Sequence, residues 1–179
     1  MNVANEYGNT PLHIIFLNFQ KGPDMALVLA KLLIKKGADL HARNHLELGH
    51  LHLAVQTNNV SALQFAVAHN KMVRQKRLKS RRTLSLVNDE PDSELFDFDV
   101  RGGKHEWTVL HMAIYHTNLA IITLLMQCGE FIDLMALDSV GRRAIDLCPY
   151  SSPVFKSIRD LIKRKTKQQV VELSLDKSF

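Results

Sequence analysis

Apolar and polar positions along the chain fall into two short patterns that recur in step. The first is Thr10-Pro11-Leu12-His13-Ile14-Ile15, Gly49-His50-Leu51-His52-Leu53-Ala54, Thr108-Val109-Leu110-His111-Met112-Ala113 and Arg143-Ala144-Ile145-Asp146-Leu147-Cys148. The second follows about one helix later: 30–37, 63–70 and 122–129, with Leu32, Leu33 and Ile34 matched by Leu124, Leu125 and Met126. Each pair of patterns predicts two short helices, and the apolar seam of the second helix needs a neighbouring unit to bury it. Gly37, Gly129 and Asn70 stand where the second helices should end, at positions that favour a left-handed residue. Val154, Ile158, Leu161 and Ile162 predict one more helix over 154–165, basic on its other positions.

The spacing makes the repeat quantitative. His13, His52, His111 and Asp146 are 39, 59 and 35 positions apart. The motif is similar to the opening of an ankyrin repeat, and against that family's period of about 33 the spacings leave insertions of roughly 6, 26 and 2 residues. The expected places are the loop at residues 20–23, the stretch after Asn70, and the turn at residues 138–141. The pattern resembles the ankyrin repeat, whose first helix opens with T-P-L-H-x-A. The resemblance implies an all-α solenoid over 2–166, with repeats at about 6–38, 45–70, 104–130 and 139–166. A charged loop at 71–104 interrupts it, and a polar tail, 167–179, follows.

The residue types fit that expectation. Thr and His at the helix start can bond the backbone and each other. Pro11 sits where no backbone donor is needed, and Ala54 and Ala113 allow close helix approach. The departures are Ile15 for Ala, Gly49-His50 for Thr-Pro, and Arg143 and Asp146 for Thr and His. Pro149 should end the fourth unit's first helix early. Divergent end units suit a solenoid, because an end has one neighbour only. The 154–165 helix is expected to cap the C-terminal end. The N-terminal stretch 2–9 has no helix before it, which leaves an end open to other repeats or subunits.

Composition narrows the functional classes. The chain has 179 residues, 46% hydrophobic and 23% charged, with a net charge of +5. Two cysteines cannot support a disulfide framework, so a reducing cytoplasmic or nuclear setting is expected. No apolar run reaches the roughly 18 to 20 residues of a membrane helix, and membrane insertion is not expected. Basic residues crowd 71–82 and 156–167, and acidic ones 89–99, but neither basic run carries an aromatic side chain for base stacking. Nucleic acid is disfavoured as a partner.

No catalytic, cofactor or metal site is expected. His41, His45, Glu47, His50 and His52 cluster in sequence, but their spacing fits no zinc pattern. Cys148 occupies a small-residue helix position and reads as an inert buried thiol, and Cys128 has no base near it. Phosphate-loop, nucleophile-elbow and zinc-protease motifs are absent, so the chain is not expected to be an enzyme.

The resemblance implies protein binding by a scaffold, adaptor or inhibitor, through hairpin tips and the concave helix face. The candidate positions are Arg43, Asn44, His45 and Asp138 at the tips, Gln56, Thr57, Tyr115 and His116 on the concave face, and Trp107 as an aromatic anchor. Phe96 and Phe98, in an acidic stretch, form a candidate docking motif. Arg82-Thr83-Leu84-Ser85 offers Ser85 to a basophilic kinase, which would make the insertion a phosphorylation-controlled switch. A further alternative is a targeting or regulatory segment of a larger enzyme or channel.

Overall fold

The computed structural model describes residues 2–82, 95–127, 131–148, 155–160 and 162–165. Helices come in pairs: α1 (Pro11–Asn18) with α2 (Pro23–Lys35), α3 (His50–Gln56) with α4 (Val60–Arg82), and α5 (Val109–Tyr115) with α6 (Leu119–Gln127). The fourth unit opens with a single 3-10 turn, Ala144–Leu147, packed on α5. Residues 155–160 and 162–165 are helical, with Ile158 and Ile162 buried. The first helices α1, α3 and α5 lie side by side, each backed by its partner, and no strand occurs among the described residues. This is an all-α solenoid, and one continuous core runs through it.

The sequence explains where the helices start. Pro11 and Pro23 open α1 and α2 at positions with no backbone donor to lose. Asn59 and Asn118 precede α4 and α6, where their Oδ1 atoms accept the Ala62 and Ile121 N–H groups. Ala54 and Ala113 are wholly buried where α3 meets its neighbours, and a longer side chain there would push the helices apart. The extra residues of unit one form the 3-10 turn Phe19–Lys21 ahead of Gly22.

Three expectations are corrected. Asn70 does not end a helix: α4 runs on through Arg82, so 71–82 is helix rather than loop. Val73 on this extension is buried, and the Arg74 guanidinium lies 4.1 Å over the Phe131 ring. Buried Asn70 instead works as a clasp. Its amide donates to the Phe96 carbonyl (2.8 Å) and accepts the Phe96 N–H (2.9 Å). The clasp closes the insertion and delivers Phe96 into a ring cluster with Phe16, Phe65 and His69. Phe96 and Phe98 are therefore core residues, unavailable as a docking motif. Finally, the turn at 138–142 has the same length and bonding as that at 44–48, so the two extra residues of unit four lie before it. Ser85, Gly129, Cys128 and Pro149 lie outside the described residues.

Candidate partner-binding face

Each unit begins with a finger, a tight turn just ahead of its first helix: residues 5–9, 44–48, 103–107 and 138–142. In three of them the leading side chain builds the turn. The Oδ1 of Asn5 accepts the N–H groups of Tyr7 and Asn9. That of Asn44 accepts Leu46 and Leu48, and that of Asp138 accepts Val140 and Arg142. Such side chains replace backbone partners that the turn cannot supply. Finger three has Gly103 in this place, and its turn is closed by paired backbone bonds between Gly102 and Trp107.

The fourth residue of every finger is left-handed: Gly8 (φ 75°), Glu47 (58°), Glu106 (51°) and Gly141 (79°). Glycine takes this conformation freely, whereas glutamate does so at a cost. Gly8 has a second reason, since a Cβ there would lie 2.6 Å from the His45 backbone nitrogen.

Neighbouring fingers are tied by their backbones. His45 N–H donates to the Tyr7 carbonyl (3.1 Å), Gly103 N–H to Glu47 (3.2 Å) and Ser139 N–H to His105 (3.0 Å). The motif histidines tie each helix start to the next finger. His13 Nδ1 accepts the Thr10 N–H, while Nε2 reaches the Leu48 carbonyl at 3.3 Å. His52 repeats this with Gly49 and Trp107, and His111 with Thr108 and Arg142. Both ring nitrogens are engaged only when the imidazole is neutral and carries its proton on Nε2. Burial drives these histidines below their ordinary range, His52 to about 4, against the opposing pull of the carbonyls. In unit four Asp146 stands in for histidine, taking the Arg143 N–H and pairing with the Arg143 side chain instead of reaching onward.

These observations decide the family. A family profile describing ankyrin repeats, in three copies, matches residues 26–148. The chain belongs to the ankyrin repeat family. No curated protein matches it significantly in a sequence comparison. Ankyrin repeats generally mediate protein–protein interaction and are typically non-catalytic.

Within this ankyrin array the candidate contact residues separate into two groups. Asn44 and Asp138 are buried and bonded to their own turns, so they shape the fingers and present nothing to a partner. Burial pushes the Asp138 carboxyl up. The Arg142 and Val140 N–H groups, the Arg142 guanidinium at 2.8 Å and the Trp107 indole N–H outweigh it and hold the carboxyl well below the usual range. Arg43, just ahead of finger two, and His45 on it are exposed, with Arg43 3.6 Å from Glu47. Gln56 and Thr57 end α3 as Tyr115 and His116 end α5, and all four are exposed.

Trp107, Tyr115 and His116 come together. The half-buried Trp107 ring stacks on His105 (5.1 Å) and meets Tyr115 at 4.8 Å, with His116 5.4 Å beyond. Of the clustered histidines, His41 and His45 are exposed, while His52 serves the helix start. His50 stacks on His13 at 4.0 Å, and its Nε2 is buried without a partner. Cys148 is buried, which pushes its thiol up and away from reactivity.

The sequence reading missed the tip row. The third residue of each finger is Tyr7, Leu46, His105 or Val140, and three of these are large apolar side chains exposed to 63%, 68% and 67%. The signal was available two residues after each turn-building Asn or Asp. A polar tip residue attracts notice as a contact, whereas an apolar one beside it reads as loop.

Proposed function

We propose that this ankyrin array is a non-catalytic binding module that grips a partner protein along its fingertip row and the Trp107–Tyr115 cluster. It acts as a scaffold, adaptor or inhibitor in a reducing compartment, the cytoplasm or nucleus. The observation that carries this is the placement of Tyr7, Leu46 and Val140 at equivalent exposed tips. Their side chains are absent from the core, yet their backbones are fixed by the turn-building Asn and Asp side chains. Apolar groups held rigidly in water lose little entropy when a partner covers them. Tyr and Trp add large contact area of the kind that dominates binding energy.

The test is cross-linking capture from native lysate with the intact chain and two variants. In one, Tyr7, Leu46 and Val140 become Ser. In the other, residues 83–94 become a Gly/Ser linker, which spares the Phe96 and Phe98 core. A partner lost only with the triple substitution supports tip recognition. A partner lost only with the linker moves recognition to the insertion and removes the proposal.

A further inference from the structure

Unit three carries an aromatic run that the repeat itself does not require. Trp107 is the fifth residue of its finger, where the other fingers have Asn9, Leu48 and Arg142. Tyr115 on α5 stands at the place held by Leu17 on α1 and Gln56 on α3. The rings of His105, Trp107, Tyr115 and His116 follow one another at 5.1, 4.8 and 5.4 Å, from fingertip to helix end. Tyr115 is 54% exposed. Trp107 is held firmly. Its carbonyl accepts from His52 Nε2 (2.8 Å), its backbone N–H donates to Gly102 (3.0 Å), and its indole N–H donates to Asp138 (3.3 Å).

The surroundings limit what can lie on these rings. The acids of fingers two, three and four are Glu47, Glu106 and Asp138, and an arginine holds each: Arg43 at 3.6 Å, Arg101 at 3.7 Å and Arg142 at 2.8 Å. A basic segment finds no unclaimed carboxylate on these fingers. An acidic one finds those arginines engaged, with Lys104 the lone cation of finger three. A β-strand has no edge to join, because the Gly103 N–H and the His105 carbonyl already bond finger three to its neighbours. Ring faces and hydrogen-bond donors remain on offer. Among the described residues, the Tyr115 hydroxyl, the Gln56 amide and the His116 ring are hydrogen-bonded to no other group.

We propose, on the reading of this face as the binding surface, that the Trp107–Tyr115 platform takes an uncharged, proline-rich segment of the partner in the polyproline II conformation. Such segments dock on aromatic-lined surfaces, where proline rings lie against the aromatic faces. Proline has no N–H, so the segment presents carbonyl acceptors, which suit a surface of donors. The segment is extended and solvated before binding, and the platform is already fixed, so little entropy is lost when they meet. Because Asp138 holds the indole N–H, Trp107 contributes its face, and the Tyr115 hydroxyl and Gln56 amide supply the hydrogen bonds.

Trp107 is the only tryptophan in the chain, so its fluorescence reports on the site directly. The full chain is titrated with synthetic Pro-Pro-X-Pro repeat peptides, X being Leu, Tyr, Arg or Glu, and with an amphipathic Ala/Leu/Lys helix peptide. The Leu and Tyr peptides should shift the emission saturably, with Kd below about 1 mM. Raising salt from about 50 to about 500 mM should change that affinity less than about twofold. Tyr115→Ala should weaken binding about tenfold or more. Tyr115→Phe, which keeps the ring and loses the hydroxyl, should weaken it about two- to tenfold. Circular dichroism melts should give both variants the parent's Tm, since the side chain is exposed. No saturable shift with any proline peptide overturns the proposal. So does tighter binding of the helix peptide, of the Arg peptide or of the Glu peptide, and so does binding that Tyr115→Ala leaves intact. Peptides that fail beside a lysate partner still lost on the Tyr7, Leu46 and Val140 substitution strike only the proline-rich ligand. A partner that survives that substitution strikes the binding face itself.

Discussion

Acidification from pH 7.5 to 5.0 should loosen this fold through its buried histidines. Burial lowers His50 to about 3 and His52 to about 4, while an unfolded histidine titrates near the ordinary 6.5. A group that holds its proton less well when folded favours folding only above its unfolded pKa, and that advantage falls away as pH drops below it. At pH 5.0 each of the two costs about 2 kcal/mol, because the window runs from 6.5 to 5.0 whatever the depth of the folded value. His13 and His111 are lowered by the same cause and add in the same direction. Asp99 opposes them. Burial raises its carboxyl to about 6 despite the Asp133 N–H, so protonation between pH 6 and 5 returns about 1 kcal/mol. Asp138, held low, contributes fully throughout this window.

His50, His52 and Asp99 together cost about 3 kcal/mol, which for a domain of this size lowers Tm by roughly 6 to 12 °C, and His13 and His111 deepen the loss. Urea and thermal unfolding followed by circular dichroism at pH 7.5, 6.5, 5.5 and 5.0 measure it directly. His50→Leu should shrink the loss by about 2 kcal/mol, since it removes one titrating imidazole and leaves the bridging histidines in place. Stability that stays level across this range, or a His50→Leu variant that titrates like the parent, would refute the reasoning.

Two further outcomes follow from the fingers. Asn44→Ala removes the acceptor of two backbone N–H groups and the donor to Asn9. It should cost about 1 to 3 kcal/mol in urea unfolding, whereas Leu46→Ser two positions away should stay within about 0.5 kcal/mol. Glu106→Gly relieves a left-handed glutamate at φ 51° and should raise stability by about 0.5 to 1 kcal/mol. A loss of stability in that variant would mean that the finger is not held in this conformation in solution.

Much of the fold was legible because the repeat states the same bonds three times over. His13, His52 and His111 share one task, and Asp146 departs from it where its unit bonds Arg143 instead of the next finger. The site was less legible. Asn44 and Asp138 look like surface contacts in sequence, because a polar side chain bonded to its own turn cannot be told from one that faces a partner. Phe96 and Phe98 sit among acids, and only the Asn70 clasp, formed across 26 positions, carries that stretch back to the core. Asn70 itself resembles a helix end, yet α4 continues past it because its side chain is occupied with Phe96 rather than with its own backbone.

That clasp makes chain length a free variable at one place in an otherwise fixed period. Asn70 and Phe96 hold their geometry through two hydrogen bonds and a ring cluster on either side of the insertion. The polypeptide after Arg82 therefore runs between two points that the stacked units already fix. A flexible linker put in its place would cost only about 0.6 kcal/mol of closure entropy for each doubling of its length. Sequence between 83 and 94 can therefore be lengthened, exchanged or replaced by a reporter domain without retuning the stacked units, which makes it the natural port for engineering this array.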